Sequence, residues 1–158
     1  MALIVDRADL VELVAAFRRS GDTIALANGC FDLLHVGHVR YLRGAKREAD
    51  RLLVAINDDA SVLALKGKGR PVLPASDRAE LVAAVGVVDV VVIFSGATVA
   101  EILELVHPDV HCKGTDYTVE TVPERETVRA YGGRTAIVGD SKDHSTRGLL
   151  SRIAETDG

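Results

Sequence analysis

Short runs rich in Val and Ile recur along this chain with no polar alternation, at residues 23–27, 51–57, 88–94, 110–112 and 134–138, and segments of helical character separate them. A strand that is apolar on both faces needs cover on both faces, which helices supply in a parallel sheet. The first helical stretch, residues 8–19, places Leu10, Val14 and Phe17 on one stripe. Further helices are expected at 39–49, 76–85, 98–106, 119–131 and 145–154, with a polar loop running through residues 67–70. The pattern predicts a single Rossmann-like, doubly wound α/β domain over residues 1–158, with a five-stranded parallel sheet. Ligands of such folds bind at the carboxyl ends of the strands, beside the point where strand order reverses. On that rule the candidate positions are residues 28–38 after the first strand, 57–59 after the second, Phe94 and Ser95 at the third, and 113–117 after the fourth.

The first of these stretches carries the most chemistry. Asn28-Gly-Cys-Phe-Asp-Leu-Leu-His-Val-Gly-His38 follows a strand and leads into a helix. Backbone N–H groups and the positive end of the helix dipole therefore converge on one point, beside the imidazoles of His35 and His38. Such a place suits phosphate, because an imidazole near its ordinary pKa of about 6.5 donates a hydrogen bond when neutral and becomes cationic against a polyphosphate. A zinc centre is the competing reading. It needs three or four ligands, and His107, His111, His144, Cys30 and Cys112 show neither a helical i, i+4 pair nor a Cys-x-x-Cys spacing, so no metal site is expected.

Composition narrows the partners. The 158 residues are 47% hydrophobic and 27% charged, enough for a sizeable core, and the net charge of −4 argues against a nucleic-acid surface. Positive charge must be concentrated locally instead. Asp6, Arg7 and Asp9 break the first apolar stretch, and Gly86 and Asp89 interrupt the longest one, so neither a signal peptide nor a membrane span is expected. Two cysteines read as reduced thiols of a cytoplasmic protein.

The motif from Asn28 to His38 resembles the signature of the nucleotidyltransferase superfamily that carries His-x-Gly-His. The Asn-Gly-Cys-Phe-Asp spelling is similar to the adenylyltransferase branch that makes ADP-heptose from D-glycero-β-D-manno-heptose 1-phosphate. Asn57-Asp-Asp-Ala-Ser-Val, Leu65-Lys-Gly-Lys-Gly-Arg-Pro-Val72, Asp77-Arg78, His107-Pro-Asp-Val-His-Cys-Lys-Gly-Thr-Asp-Tyr117, Tyr131-Gly-Gly-Arg134 and Ser145-Thr146 agree in order and spacing. The resemblance implies AMP transfer from ATP, with Mg²⁺ bridging phosphate oxygens, to a sugar 1-phosphate, in a homodimer or higher homo-oligomer. It implies catalytic roles for His35, His38, Lys66 and Arg78, with Arg78 positioning either a phosphate or the loop that carries Lys66. Nucleotide contacts would come from Asn28, Gly29, Cys30, Phe31, Gly37, Lys113, Gly114, Ser145 and Thr146. Contacts to the sugar phosphate would come from Asp32, Asn57, Asp116 and Tyr117.

Blander roles compete with these. Ser145 and Thr146 suit plain helix capping, and Lys66, Lys68 and Arg70 suit an ordinary solvated cluster of charge. Relatives often carry Ser-Thr-Thr where this chain has Ser145-Thr-Arg147, and the cytidylyltransferases have an arginine where it has Asp140-Ser-Lys-Asp-His144. Lys142 and Arg147 are the two candidates for the missing cation. A cytidylyltransferase acting on glycerol 3-phosphate or a similar polyol phosphate, and a nucleotide-binding module without turnover, are the alternatives.

Overall fold

The computed structural model describes residues 2–141 and 144–157. It is an α/β fold around a parallel sheet of six strands, one more than the sequence pattern predicts. The strands are β1 (Leu3–Val5), β2 (Ile24–Gly29), β3 (Arg51–Asn57), β4 (Val90–Phe94), β5 (Val110–Lys113) and β6 (Arg134–Ile137), in the order β1-β4-β3-β2-β5-β6. The helices are α1 (Arg7–Arg19), α2 (Val36–Lys46), α3 (Asp59–Lys66), α4 (Ala75–Ala83), α5 (Ala100–Val106), α6 (Arg125–Ala130) and α7 (Thr146–Thr156).

The unexpected strand is β1, three residues on the sheet edge paired with β4 through Leu3↔Val90 and Val5↔Val92. Its apolar run is too short to mark a strand, Leu3 and Ile4 are exposed, and its partner lies far along the chain. Helix α3 is also absent from the sequence pattern, which marks no element between residue 57 and the polar loop. It is short and is started by Asp58, whose carboxylate accepts the Ser61 N–H at 2.8 Å. The helix expected over 119–131 is split into a 3₁₀ turn (Val119–Thr121) and α6. Pro123 accounts for the break: it disfavours helical backbone at the residue before it, and Val122 is extended (φ −65, ψ 120).

The continuous apolarity of the strands follows from the two layers. Ala25, Ala27, Leu52, Val54, Ile56 and Val91 face a core shared with Leu42 of α2 and Ala79 and Val82 of α4. Ile24, Leu26, Leu53, Ala55, Val90 and Val92 face the opposite one, built on Leu10 of α1, Ile102 and Leu103 of α5 and Val128 of α6. Burying each Val, Leu or Ile among these contributes roughly 1.5–3 kcal/mol. Chain order runs outward from β2 through β3 to β4, then crosses back to β5 on the other side of β2. The reversal places a crevice at the carboxyl ends of β2 and β5. Among the described residues no helix is long and apolar enough to cross a membrane.

Candidate active site

The polypeptide leaves β2 through a turn in which Phe31 (φ 49) and Leu33 (φ 54) are both left-handed. Such backbone costs a non-glycine residue of order 1 kcal/mol and persists only where packing dictates it. Phe31 is buried, with its ring 5.3 Å from that of His38 and 6.3 Å from that of Tyr41. The turn delivers His35 as the N-cap of α2, which begins three residues earlier than the periodicity suggests. His35 Nδ1 accepts the Gly37 N–H at 3.1 Å, and His38 Nδ1 accepts the His35 N–H at 3.3 Å. With Nδ1 accepting in both, each neutral ring carries its proton on Nε2. The two rings stack with centroids 3.9 Å apart. Glycine is required between them: a Cβ on Gly37 would stand 2.9 Å from the His35 ring.

The start of α7 lies against the start of α2. The His144 Cβ would be 3.4 Å from a side chain at Gly37, and its ring centroid is 6.4 Å from that of His35. Ser145 caps α7 by accepting the Gly148 N–H at 2.9 Å, and the Thr146 hydroxyl donates to the Asp32 carbonyl. Two helix N-termini thus meet beside the stacked imidazoles, a concentration of positive potential suited to an anion.

Beneath them a buried polar layer holds the loops. Arg78 is fully buried and donates to the carbonyls of Leu73 (3.0 Å), Cys30 (2.6 Å) and Asn57 (2.8 Å) and to the Asp59 carboxylate (2.8 Å). It ties the ends of β2 and β3 to the segment before α4. The Asp32 carboxylate, also buried, accepts from Arg70 Nε (2.8 Å) and from the N–H groups of Val72 (2.8 Å) and Leu73 (3.1 Å). Burial pushes this carboxyl up, but the Val72 N–H, Arg70 and the Leu73 N–H outweigh it and hold its pKa below the usual value. A group with a depressed folded pKa contributes stability that is full above its unfolded value, about 3.9, and is lost as pH falls through the folded one. Asp32→Asn should therefore cost most at neutral pH. The gap in urea midpoint between variant and wild type should narrow from pH 7 to pH 3, and a gap independent of pH would contradict this account.

Asn28 Oδ1 lies 2.8 Å from His111 Nε2, and burial together with the Lys113 charge pushes the His111 pKa down to about 3. This histidine is neutral and orients Asn28. Asn57 donates to the Gly96 carbonyl at 3.2 Å. Burial raises the Cys30 thiol pKa despite Lys66, Arg78 and Arg70 nearby, and lowers that of Lys113, whose ammonium sits 4.8 Å from the Tyr117 ring centroid.

These groups surround a cavity of about 790 Å³. It is lined by His35, His38, Lys66, Asn28, Gly29, Cys30, Phe31, Gly37, Lys113, Gly114, Ser145, Thr146, Asp32, Asn57, Asp116 and Tyr117, so the structure brings together every residue to which the resemblance gives a role except Arg78. Arg78 sits below the lining, with its guanidinium taken up by backbone and Asp59. Phe94 and Ser95 do not line the cavity either; that side of the wall is Ala97 and Thr98, and the Ser95 hydroxyl donates to Asp58. Arg147 reaches the lining, whereas Lys142 lies outside the described residues. Sequence reasoning missed Arg40, Tyr41, Arg70 and Glu124, all in the lining. A signal existed for Arg70, which shares a glycine-rich stretch with Lys66. Tyr41 reads as a helix core residue, and its hydroxyl donates to the Cys112 carbonyl at 2.6 Å. Among the described residues no three His, Cys, Asp or Glu side chains are grouped to hold a metal ion.

The model of the cytidylyltransferase-like family matches residues 26–153, from β2 into α7 and across the whole cavity. The chain belongs to that family. It is 46% identical over 151 residues to the bifunctional protein HldE of Koribacter versatilis, covering 96% of this chain and 31% of that one. With HldE of Syntrophotalea carbinolica the identity is 42% over 149 residues, with coverage of 94% and 30%. The chain thus spans just under a third of the length of these relatives. Among solved structures, the lipopolysaccharide core biosynthesis protein from Thermoplasma volcanium is similar at a TM-score of 0.64 and 27% identity, over 78% of this chain and all of that one.

Proposed function

We propose that this chain is a sugar-phosphate adenylyltransferase that transfers AMP from ATP to D-glycero-β-D-manno-heptose 1-phosphate, releasing pyrophosphate. The observation that carries the reading is the meeting of two helix N-termini with a stacked histidine pair, each ring accepting a backbone N–H at Nδ1, in a cavity also lined by Lys66 and Lys113. The choice of nucleotide and sugar is supported by the Asn28-Gly-Cys-Phe-Asp and Leu65-Lys-Gly-x-x-Arg-Pro-Val segments and by the identity to HldE.

In this reading a phosphate oxygen of the sugar attacks the α-phosphorus in line, the bond to the β-phosphate oxygen breaks, and pyrophosphate leaves. The protein supplies alignment and charge and needs no nucleophile of its own. His35 and His38 donate from Nε2 to oxygens around the α-phosphorus, the start of α7 receives the departing phosphates, and Lys66 neutralises charge as they leave. Mg²⁺ is treated as part of the substrate, carried on the phosphates. Asp32 and Arg78 act as positioning residues that hold the loops. The free thiols of Cys30 and Cys112 suit a cytoplasmic setting.

The decisive assay offers each nucleoside triphosphate with Mg²⁺ and a panel of sugar and polyol phosphates, and reads pyrophosphate. ATP with the heptose 1-phosphate should be the fastest pair. Faster CMP transfer to glycerol 3-phosphate would overturn the reading in favour of a cytidylyltransferase.

The 66–70 loop provides a second check. Lys66 and Arg70 line the cavity and Lys68 does not, while Gly67 and Gly69 are left-handed with open space around them. Lys66→Ala should raise the KM for ATP and slow the chemical step, and Lys68→Ala should change both less than about twofold. Hydrogen exchange at Gly67 and Gly69 should slow when a non-hydrolysable ATP analogue and Mg²⁺ are added. Equal kinetic effects at the two lysines, or unchanged exchange, would make this loop an ordinary charged surface.

A further inference from the structure

Glu124 is a buried carboxylate to which none of the roles above falls. It is 6% exposed and lines the cavity. Its Oε1 accepts the Val99 N–H at 3.3 Å at the start of α5, and its Oε2 has no hydrogen-bond partner among the described residues. Leaving such a group unpaired is unfavourable, so a site that retains one is expected to gain the missing bond from a ligand. The carboxylate is held in place by its other oxygen, and Oε2 is shielded from solvent in this structure, so a donor reaches it as the surrounding wall adjusts on binding.

The chemistry limits the occupant. An ionised carboxylate accepts hydrogen bonds and donates none, and it repels phosphate. Its partner must be a hydrogen-bond donor, O–H or N–H, on a part of a substrate that carries no phosphate. Location narrows the choice further. Apart from Lys66 at the end of α3, the residues assigned above to the phosphates of the nucleotide gather at the starts of α2 and α7, and α2 packs on the sheet face opposite to α5 and α6. Glu124, joined to Val99 beside Thr98, belongs to the α5 layer, and Lys113 and Tyr117 complete that wall. We propose that Glu124 Oε2 accepts a hydrogen bond from a hydroxyl of the sugar acceptor and thereby selects acceptors that carry a hydroxyl at that position. This inference rests on the acceptor being a polyhydroxylated phosphate, as proposed above.

Steady-state kinetics with ATP and acceptor varied separately test it, using wild type, Glu124→Ala and Glu124→Gln against the heptose 1-phosphate and its monodeoxy forms. Glutamine keeps an oxygen for the Val99 N–H and so the fold, but places an amide donor where Oε2 stood. Both variants should lower kcat/KM for the acceptor by about ten- to a hundredfold, the range of a hydrogen bond to a charged group, with KM for ATP within about twofold of wild type. One deoxy acceptor should lose a similar factor with wild type and nothing further with the variants, since enzyme and substrate then lack the same bond. A shift in the ATP KM equal to that for the acceptor would assign the residue to the nucleotide and overturn the inference, as would losses that multiply for every deoxy acceptor. If glycerol 3-phosphate proves to be the acceptor, the choice of sugar fails by itself. The same variants then decide the inference on glycerol 3-phosphate and its deoxy form, and an unchanged acceptor KM with Glu124→Gln would overturn it there too.

Discussion

Alanine at His38 or at His35 should lower kcat/KM by roughly two to three orders of magnitude, the usual consequence of removing one preorganised donor to a transition state, about 2.7–4 kcal/mol. Each histidine also serves the start of α2, His35 by accepting the Gly37 N–H and His38 by accepting the His35 N–H. Loss of such a cap costs about 1 kcal/mol, too little to unfold a protein of ordinary stability, about 5–15 kcal/mol. Thermal melting should therefore show both variants folded at assay temperature while turnover collapses. Because the rings stack at 3.9 Å, the double variant should lose less than the product of the single losses. Near-normal turnover in either single variant would remove the histidines from the chemistry, and a loss of fold in both would make them capping residues only.

The second large effect falls on stability. Arg78 satisfies three backbone carbonyls and Asp59 from a fully buried position, and Arg78→Ala would leave the three carbonyls without this donor, while the exposed Asp59 carboxylate returns to water. Leaving buried acceptors unsatisfied costs about 1–3 kcal/mol each, so the loss of Arg78 should reach about 3–5 kcal/mol. In a domain of this size the melting temperature should fall by about ten degrees or more. Arg78→Lys should recover little, because one ammonium cannot span acceptors arranged around a planar guanidinium. Differential scanning calorimetry of the three proteins gives the answer. A variant with wild-type melting but lost nucleotide affinity would show that Arg78 reaches phosphate after all.

Arg78 also shows where sequence reading ended. Its neighbours in the chain mark it as a site residue, and two positions for it were compatible with that mark, on a phosphate or behind the loop. Only the packing of α4 against β3 and β4 places its guanidinium under the Cys30 and Asn57 carbonyls and out of the cavity lining. Asp32 is similar: nothing local tells that residues 70–73, some forty positions away, close around its carboxylate. Glu124 left no mark, since its place depends on Val99 being brought to it by the packing of α5 on α6.

Local physics settled the remainder within the sequence itself. Runs of Val, Ile, Leu and Ala without alternation can be buried only between two helical layers, which specified the parallel sheet before any contact was known. Glycine at position 37 between two histidines at a helix start is a close-range steric and hydrogen-bonding requirement, and so it was legible as a motif. The break at residue 122 is local too, since Pro123 bars helical backbone before it. Tertiary structure alone decided what depends on distant partners: β1 as a strand, because a three-residue edge segment with two exposed side chains becomes extended only through pairing with β4; and the buried polar layer, because the carbonyls at the ends of β2 and β3 acquire their donor only when Arg78 of α4 is packed beneath them.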